Sequence, residues 1–112
     1  MASNPPRLKV SLAPFAKRDL NQIWFWNADH RHTEWADDYE AFLLEKIDEL
    51  KAAYTDGRPV PLAKQYQYIT ARKSKGGHGH YVVYQVNGST VEILRLLHTR
   101  RDWQNRLLKG ED

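Results

Sequence analysis

Four basic or titratable side chains follow one another near the end of the chain: Arg95, His98, Arg100 and Arg101. The first lies inside the apolar segment 91–97, and the other three come directly after it. Guanidinium groups bind carboxylates and phosphates through paired hydrogen bonds, and an imidazole exchanges a proton near neutral pH. The pattern therefore predicts an anion-binding edge, with His98 as a candidate acid or base.

Two of these side chains also have an ordinary structural explanation. An arginine on an apolar strand can pack its stem and pair its guanidinium with an acid from a helix, and we favour this interpretation of Arg95 over a catalytic one. His98 can equally be a strand-end histidine that is hydrogen-bonded to the backbone. From the residues alone, both alternatives stay open for His98.

Composition limits the class of protein. The 112 residues form one domain with one core, residues 1–112, of which 1–6 are an expected flexible tail. There is no cysteine, no membrane-spanning apolar run and no signal-peptide pattern, so we expect a cytoplasmic protein. Residues 57–112 hold 10 of the 17 Lys/Arg and 4 of the 14 Asp/Glu. This cationic half either aids solubility or binds nucleic acid or an acidic protein segment.

Hydrophobic periodicity predicts one strand, two helices and then three strands. Pro14 is expected as a first helical residue, Thr33 as the cap of the second helix, and Asn87-Gly88 as a hairpin turn with two positive φ angles. The strands are expected at 7–12, 66–72, 80–86 and 90–97, and the helices at 14–32 and 33–56. A loop is expected at 57–65, and the pattern leaves open whether 102–109 form a short terminal helix.

This β-α-α-β-β-β order predicts an α+β fold of two layers. The last three strands form an antiparallel meander, and the helical hairpin covers one face of the sheet. The first strand lies either at an edge or beside a central strand, and the pattern does not decide between these positions.

Segment 91–103 resembles the C-terminal signature of the ParE branch of the RelE/ParE toxin superfamily, in which "val-glu-ile-leu-arg-val-leu-his" runs into "arg-arg-asp". Segments 19–24, 57–59 and 79–84 are similar to that family's first helix, the loop after its helical hairpin and the start of its third strand. The resemblance extends from about residue 8 to 103. It implies a RelE/ParE-like toxin of a type II toxin–antitoxin pair, with a cognate antitoxin, ParD-like or similar, and no cofactor.

The resemblance also implies one of two targets. ParE-type members act on DNA gyrase, whereas RelE-type members cut messenger RNA in the ribosome. RelE-type nucleases have a basic pair before the second strand, an arginine at the start of the third, and a terminal tyrosine or histidine. In place of the basic pair this chain has Lys64 followed by Gln65. Tyr81 stands where the nucleases have the arginine, and Trp103 stands near the place of the terminal residue. We therefore expect a gyrase inhibitor rather than an enzyme.

The two targets would use overlapping residues. We assign gyrase binding to the anion-binding edge and to a tryptophan that follows it. The nuclease alternative would use the side chains of the same edge as catalytic groups, without the tryptophan. The target-binding residues are Arg95, His98, Arg100, Arg101 and Trp103, and the first four are the catalytic candidates.

Aromatic residues on the predicted helices indicate a partner surface. Trp24, Phe25 and Trp26 are consecutive and cannot all face one core. We assign Trp24 to the core, and Phe25 and Trp26, with Phe42 and Leu44 of the second helix, to antitoxin binding. The alternative is that some of this surface packs between the helices.

Two histidine pairs have a spacing that can place both imidazoles on one strand face, His30 with His32 and His78 with His80. Neither pair has a carboxylate or cysteine at a matching distance along the chain. We therefore expect no metal site.

Overall fold

Two helices and five strands make up residues 5–74 and 78–100, which are the residues that the computed structural model describes. None of the described helices is long and apolar enough to cross a membrane. The elements in chain order are β1 (Lys9–Leu12), α1 (Pro14–His30), α2 (Thr33–Ala53), β2 (Arg58–Val60), β3 (Ala63–Ala71), β4 (His80–Asn87) and β5 (Thr90–His98).

The strands form one sheet in the order β1-β5-β4-β3-β2. β1 is parallel to β5, and the other neighbours are antiparallel. This confirms the α+β class and the meander, and places the first strand at an edge. β2 corrects the expected loop at 57–65. It pairs only with β3, and Pro59 is tolerated there because the outer side of an edge strand needs no N–H donor.

The helical hairpin has a very short link and two different N-termini. α1 begins at Pro14 as predicted, after Ala13. α2 is capped by His32 rather than Thr33, which is its first helical residue. The reason is geometric: His32 has the extended backbone of a cap, and its Nδ1 accepts from the N–H of Trp35 at 3.1 Å.

Both helices pack on the same face of the sheet, as expected. The core between the layers is formed by Ala16, Leu20, Tyr39, Leu43, Ile47, Leu50, Ala71, Val82, Tyr84, Val91, Ile93 and Leu96. The opposite face holds a smaller cluster, Val60, Ala63, Val83 and Leu97, bordered by half-buried Tyr66, Tyr68, Tyr81 and Leu94. Within the described ranges no helix covers this second cluster.

The loop after α2 is shaped by a tyrosine from the sheet. Tyr84 is fully buried, and its hydroxyl donates to the carbonyl of Tyr54 at 2.8 Å. A methyl group on Gly57 would overlap this hydroxyl. A glycine is required at the start of Gly57-Arg58-Pro59 because the backbone passes directly over the phenol.

The β4–β5 turn differs by one residue from the prediction. Asn87 pairs with Thr90, so the two turn residues are Gly88 and Ser89. Only Gly88 has a positive φ, at 58°. A single positive φ at the first central position is the type II′ pattern, for which glycine is preferred.

Candidate functional site

The last strand contains a β-bulge halfway along its length. The β4–β5 register shifts between Val83 and Tyr84, which pair with Arg95 and Ile93. Leu94 is therefore an extra residue without a cross-strand partner. A bulge of this kind re-aims the residues that follow it. It sets the directions of Arg95 and His98, the residues of the predicted anion-binding edge that lie in β5.

Asp19 of α1 binds this bulge through three hydrogen bonds. Its Oδ2 accepts from Arg95 Nε at 2.8 Å and from the Leu96 N–H at 2.9 Å, and its Oδ1 accepts from Arg95 Nη2 at 3.1 Å. Asp19 is 5% exposed and Arg95 3% exposed. One carboxylate thus compensates a buried guanidinium and a backbone donor of the bulge.

Arg95 is buried rather than exposed at the predicted target-binding or catalytic edge, and its role there stays a prediction. Two of its nitrogens are bonded to Asp19, and the ring of Phe15 lies over the guanidinium at 5.5 Å. The structure therefore supports the other interpretation, an arginine paired with an acid from a helix. Its role is to join α1 to β5.

His98 and Arg100 are the parts of the predicted edge that the structure describes. His98 is half-buried at the end of β5, and its Nδ1 accepts from the N–H of Arg100 at 3.1 Å. Arg100 is exposed. Arg101 and Trp103 lie outside the described residues, so the target-binding role of this edge stays a prediction.

A second histidine lies directly across the sheet from His98. His80 pairs with His98 in the β4–β5 ladder, and their rings are 5.3 Å apart. His80 Nδ1 is hydrogen-bonded to the Tyr39 hydroxyl at 2.6 Å. Burial, and to a smaller extent His98, lowers the pKa of His80 to about 4, and burial raises the pKa of Tyr39 to about 12. His80 and Tyr39 are therefore uncharged at neutral pH.

This cluster of Tyr39, His80 and His98 was missed by reasoning from the sequence. His80 was considered there only as half of a metal-binding pair with His78. The ring of His78 instead lies 5.6 Å from that of His98. Among the residues with described positions, no three His, Cys, Asp or Glu side chains are arranged to hold a metal ion.

The predicted antitoxin-binding residues differ in exposure. Phe25 and Trp26 are 64% and 56% exposed, and Leu44 is 42% exposed. Phe42 is half-buried against the core, with its ring 5.8 Å from that of Tyr39, which corrects the expectation that it is exposed. Whether this surface binds an antitoxin stays a prediction.

Phe15 belongs with Trp26 on the surface of α1, although sequence reasoning did not select it. It is 47% exposed, and it precedes Trp26 by 11 residues. Eleven residues are about three helical turns, so both side chains lie on the same face of α1. This 11-residue spacing is the feature of the sequence that could have predicted their shared face. Trp26 itself stacks on His30, with ring centroids 4.1 Å apart.

Comparisons with known proteins agree with this architecture. The family described as "ParE toxin of type II toxin-antitoxin system, parDE" matches residues 10–103. A solved structure of the chromosomal ParDE toxin–antitoxin system from P. aeruginosa is similar with a TM-score of 0.70 and 17% identity, over 82% of this chain and 96% of that chain. The RelBE2 toxin–antitoxin complex from Mycobacterium tuberculosis is similar with a TM-score of 0.57 and 21% identity, over 82% and 98%.

No curated protein sequence matches the chain significantly. The two structural similarities lie below 25% identity and therefore support the fold alone. The family match over residues 10–103 includes both Asp19 and Arg95, which bind each other at the bulge. The chain belongs to the ParE toxin family of type II toxin–antitoxin systems.

Proposed function

We propose that this toxin inhibits DNA gyrase and that a cognate antitoxin neutralises it. The observation that supports gyrase over the ribosome is the burial of Arg95. This is the arginine of the signature strand, and its Nε and Nη2 are bonded to Asp19. A ribonuclease needs cations around the scissile phosphate, and a guanidinium enclosed in this way is not available for that purpose.

Two further positions weaken the nuclease alternative. Lys64 lies at the start of β3. The other end of β3, at Ala71, pairs with His80, which in turn pairs with His98. Seven strand residues separate Lys64 from that end by about 23 Å. Tyr81, at the place where the nucleases have an arginine, packs edge-on against Tyr68 with ring centroids 5.4 Å apart. Neither side chain supplies a cation beside His98.

One observation favours the nuclease as a second candidate function. His98 lies beside His80 and the exposed Arg100, a group that combines a titratable imidazole with a cation. An acid–base residue and one arginine are a minimal set for cleaving RNA through its 2′-hydroxyl. The two candidates differ in target, so one experiment separates them.

Reversing charge at the predicted edge is expected to abolish gyrase inhibition without unfolding the protein. The variant is Arg100→Glu with Arg101→Glu, and both positions follow the buried part of β5. Supercoiling by purified gyrase is measured with the wild-type chain and with the variant, and circular dichroism reports folding. We expect the wild-type chain to block supercoiling or to raise gyrase-dependent DNA breaks, and the variant to do neither.

The matched control is Arg58→Glu with Lys64→Glu, which makes the same change in net charge at two exposed positions of β2 and β3. This control is expected to keep full inhibition. Primer extension on translated message runs in parallel. Codon-specific cleavage of ribosome-bound message, with supercoiling untouched, would assign the nuclease function and make His98 the catalytic candidate.

Trp26→Ala is expected to weaken antitoxin binding more than it weakens folding. The indole is 56% exposed in the free chain and stacks on the exposed His30, so its removal should cost the fold little. An interface tryptophan commonly contributes ~2 kcal/mol or more to binding, or about 30-fold in affinity. Calorimetry with the antitoxin measures the affinity, and thermal unfolding of the free toxin measures stability. Leu62→Ala, at an exposed residue between β2 and β3, is the control. An unchanged affinity with a large fall in melting temperature would overturn the assignment of Trp26 to antitoxin binding.

A further inference from the structure

Two cations lie over the indole ring of Trp35, at the start of α2. The guanidinium carbon of Arg31, which ends α1, is 4.5 Å from the ring centroid, and the ammonium nitrogen of Lys73, which follows β3, is 5.1 Å from it. Because both distances end at the same centroid, the two charges are at most about 10 Å apart. Trp35 is half-buried, whereas Arg31 and Lys73 are exposed. We call these three residues the indole cluster.

Carboxylates near the indole cluster in the sequence do not pair with its cations. Glu34 and Asp38 are exposed on the first two turns of α2, on either side of Trp35 in the chain. Within the described ranges, Arg31 and Lys73 nevertheless form no ion pair. A cation that stacks on an aromatic ring keeps N–H donors at the edge of the ring. A further anion can accept hydrogen bonds from them.

The indole cluster lies at the same end of the sheet as the predicted anion-binding edge. Trp35 is about one helical turn before Tyr39, whose hydroxyl is bonded to His80 at 2.6 Å. Lys73 follows the end of β3 by two residues, and only β4 separates β3 from β5. Neighbouring strands lie about 4.8 Å apart, so the ends of β3 and β5 are about 10 Å apart.

Arg100 is positioned at the end of β5 by three hydrogen bonds of its surroundings. The Thr99 N–H donates to the Gly79 carbonyl at 3.0 Å, and the Gly79 N–H donates to Thr99 Oγ1 at 3.3 Å. The N–H of Arg100 itself donates to His98 Nδ1 at 3.1 Å. The side chain of Arg100 is exposed. This end of the sheet therefore presents exposed cations from three segments, which follow α1, β3 and β5.

Several cations spread over one end of a domain fit a ligand with repeated negative charges. A nucleic-acid backbone is such a ligand, and proteins that bind it neutralise several phosphates at once with lysine and arginine. Single-stranded nucleic acids are bound mainly by aromatic rings that stack on unpaired bases. The ring of Trp35 is half-buried and lies under two cations, so it is a poor stacking platform. The arrangement favours a duplex, which is contacted through its phosphates.

We propose that the indole cluster and Arg100 form one surface that binds the phosphate backbone of duplex DNA. This rests on the proposed inhibition of gyrase and deepens it, because the toxin then contacts the DNA that gyrase holds. Arg31, Lys73 and Arg100 contact phosphates, and Trp35 is a positioning residue that holds the first two. Contacts of this kind fix orientation on the duplex without reading its sequence.

The test measures binding of a short fluorescein-labelled DNA duplex of mixed sequence, by fluorescence anisotropy over a series of sodium chloride concentrations. The logarithm of the association constant should fall linearly with the logarithm of the salt concentration, by about 0.9 for each phosphate neutralised. Arg31→Gln with Lys73→Gln should lower this slope by about 2 and weaken binding roughly 10-fold. The matched control is Lys9→Gln with Lys64→Gln, which removes two exposed cations from the opposite end of the sheet. Its slope and affinity should equal those of the wild-type chain.

Two variants of Trp35 test its positioning role. Trp35→Leu keeps both cations but removes the ring that holds them, so the affinity for the duplex should fall about 3-fold while the salt slope stays the same. Trp35→Phe keeps a ring and should recover part of this loss. Circular dichroism reports the folding of every variant. A Trp35→Leu protein that is folded and binds the duplex like the wild-type chain would overturn this role of Trp35.

Supercoiling by purified gyrase is the second arm of the test. Arg31→Gln with Lys73→Gln should require about 10-fold more toxin to block supercoiling, in proportion to its weaker DNA binding. Lys9→Gln with Lys64→Gln should block it at the wild-type concentration.

Equal salt slopes and equal inhibition for the wild-type chain and Arg31→Gln with Lys73→Gln would overturn the DNA-binding surface and leave gyrase inhibition intact. Loss of inhibition with an unchanged salt slope would overturn DNA as the partner and assign both cations to a contact with the gyrase protein. A wild-type chain that binds the duplex with the expected slopes but leaves supercoiling untouched would overturn gyrase as the target and keep the DNA-binding surface.

Discussion

Asp19→Asn is expected to lower the free energy of unfolding by about 3–5 kcal/mol, because breaking one side of a buried ion pair leaves an uncompensated charge. The amide keeps the shape of Asp19 but cannot balance the Arg95 guanidinium, which is 3% exposed. That loss is a large fraction of the total stability of a small domain, about 5–15 kcal/mol. Urea titration followed by circular dichroism measures it.

Asp29→Asn is the matched control, since Asp29 lies on the same helix and is exposed. It should change the unfolding free energy by less than about 0.5 kcal/mol. The double variant Asp19→Leu with Arg95→Met should recover part of the loss. Recovery is incomplete because the Leu96 N–H loses the Asp19 acceptor. An Asp19→Asn protein as stable as wild type would show that the pair does not hold α1 to β5.

Acid is expected to destabilise the toxin through His80. Burial lowers the pKa of His80 from 6.5 to about 4 in the folded chain. Above pH 6.5 the imidazole is neutral in both states, so its environment contributes full stability there. As the pH falls from about 6.5 to 4, the unfolded chain binds a proton that the folded chain does not. The unfolding free energy should therefore fall by roughly 2–3 kcal/mol across this window.

The measurement is a series of denaturant titrations between pH 7 and pH 4, compared with His80→Asn. The variant cannot titrate at this position, so its stability should decline less over the same interval. His30→Asn is the control, because His30 is exposed and donates only to the carbonyl of Trp26 through its Nδ1. Parallel pH profiles for wild type and His80→Asn would assign the acid sensitivity to other groups.

The segments that carried the family resemblance prove to be largely structural. Asp19 and Arg95 come from two of them and bind each other at the bulge. Gly57, from a third, makes room for the Tyr84 hydroxyl. These residues specify how α1, the following loop and β5 fit together. A sequence can therefore identify the family partly through residues whose role is in packing.

Local features of the sequence were sufficient for most elements. The alternation of residues 7–12, the apolar spacing in both helices and Pro14 as a helix start depend on neighbours close in the chain. They predicted the strand, the hairpin and the meander. The exposure of Phe25 and Trp26 also followed, because consecutive helical residues cannot share one face.

Other features depended on contacts between distant residues. β2 forms because β3 offers a partner edge, which outweighs the weak strand preference of a proline-containing segment. His32 replaced Thr33 as the cap because the tight link between the helices sets the backbone angles. The choice of β2 is not encoded in a few adjacent residues, whereas the His32 cap depends on backbone angles that residue preferences alone did not predict.

The histidine pair shows most clearly what only the tertiary structure decided. The β4–β5 turn pairs Asn87 with Thr90, and a regular hairpin continuing from that turn would place His80 opposite Leu97. The bulge at Leu94 shifts the register by one residue and brings His80 opposite His98 instead. The sequence by itself determined the family, the layers and the basic end of β5. The bulge and its binding by Asp19 decided which side chains meet there, because a one-residue shift in a strand changes the partner and the face of each residue beyond it.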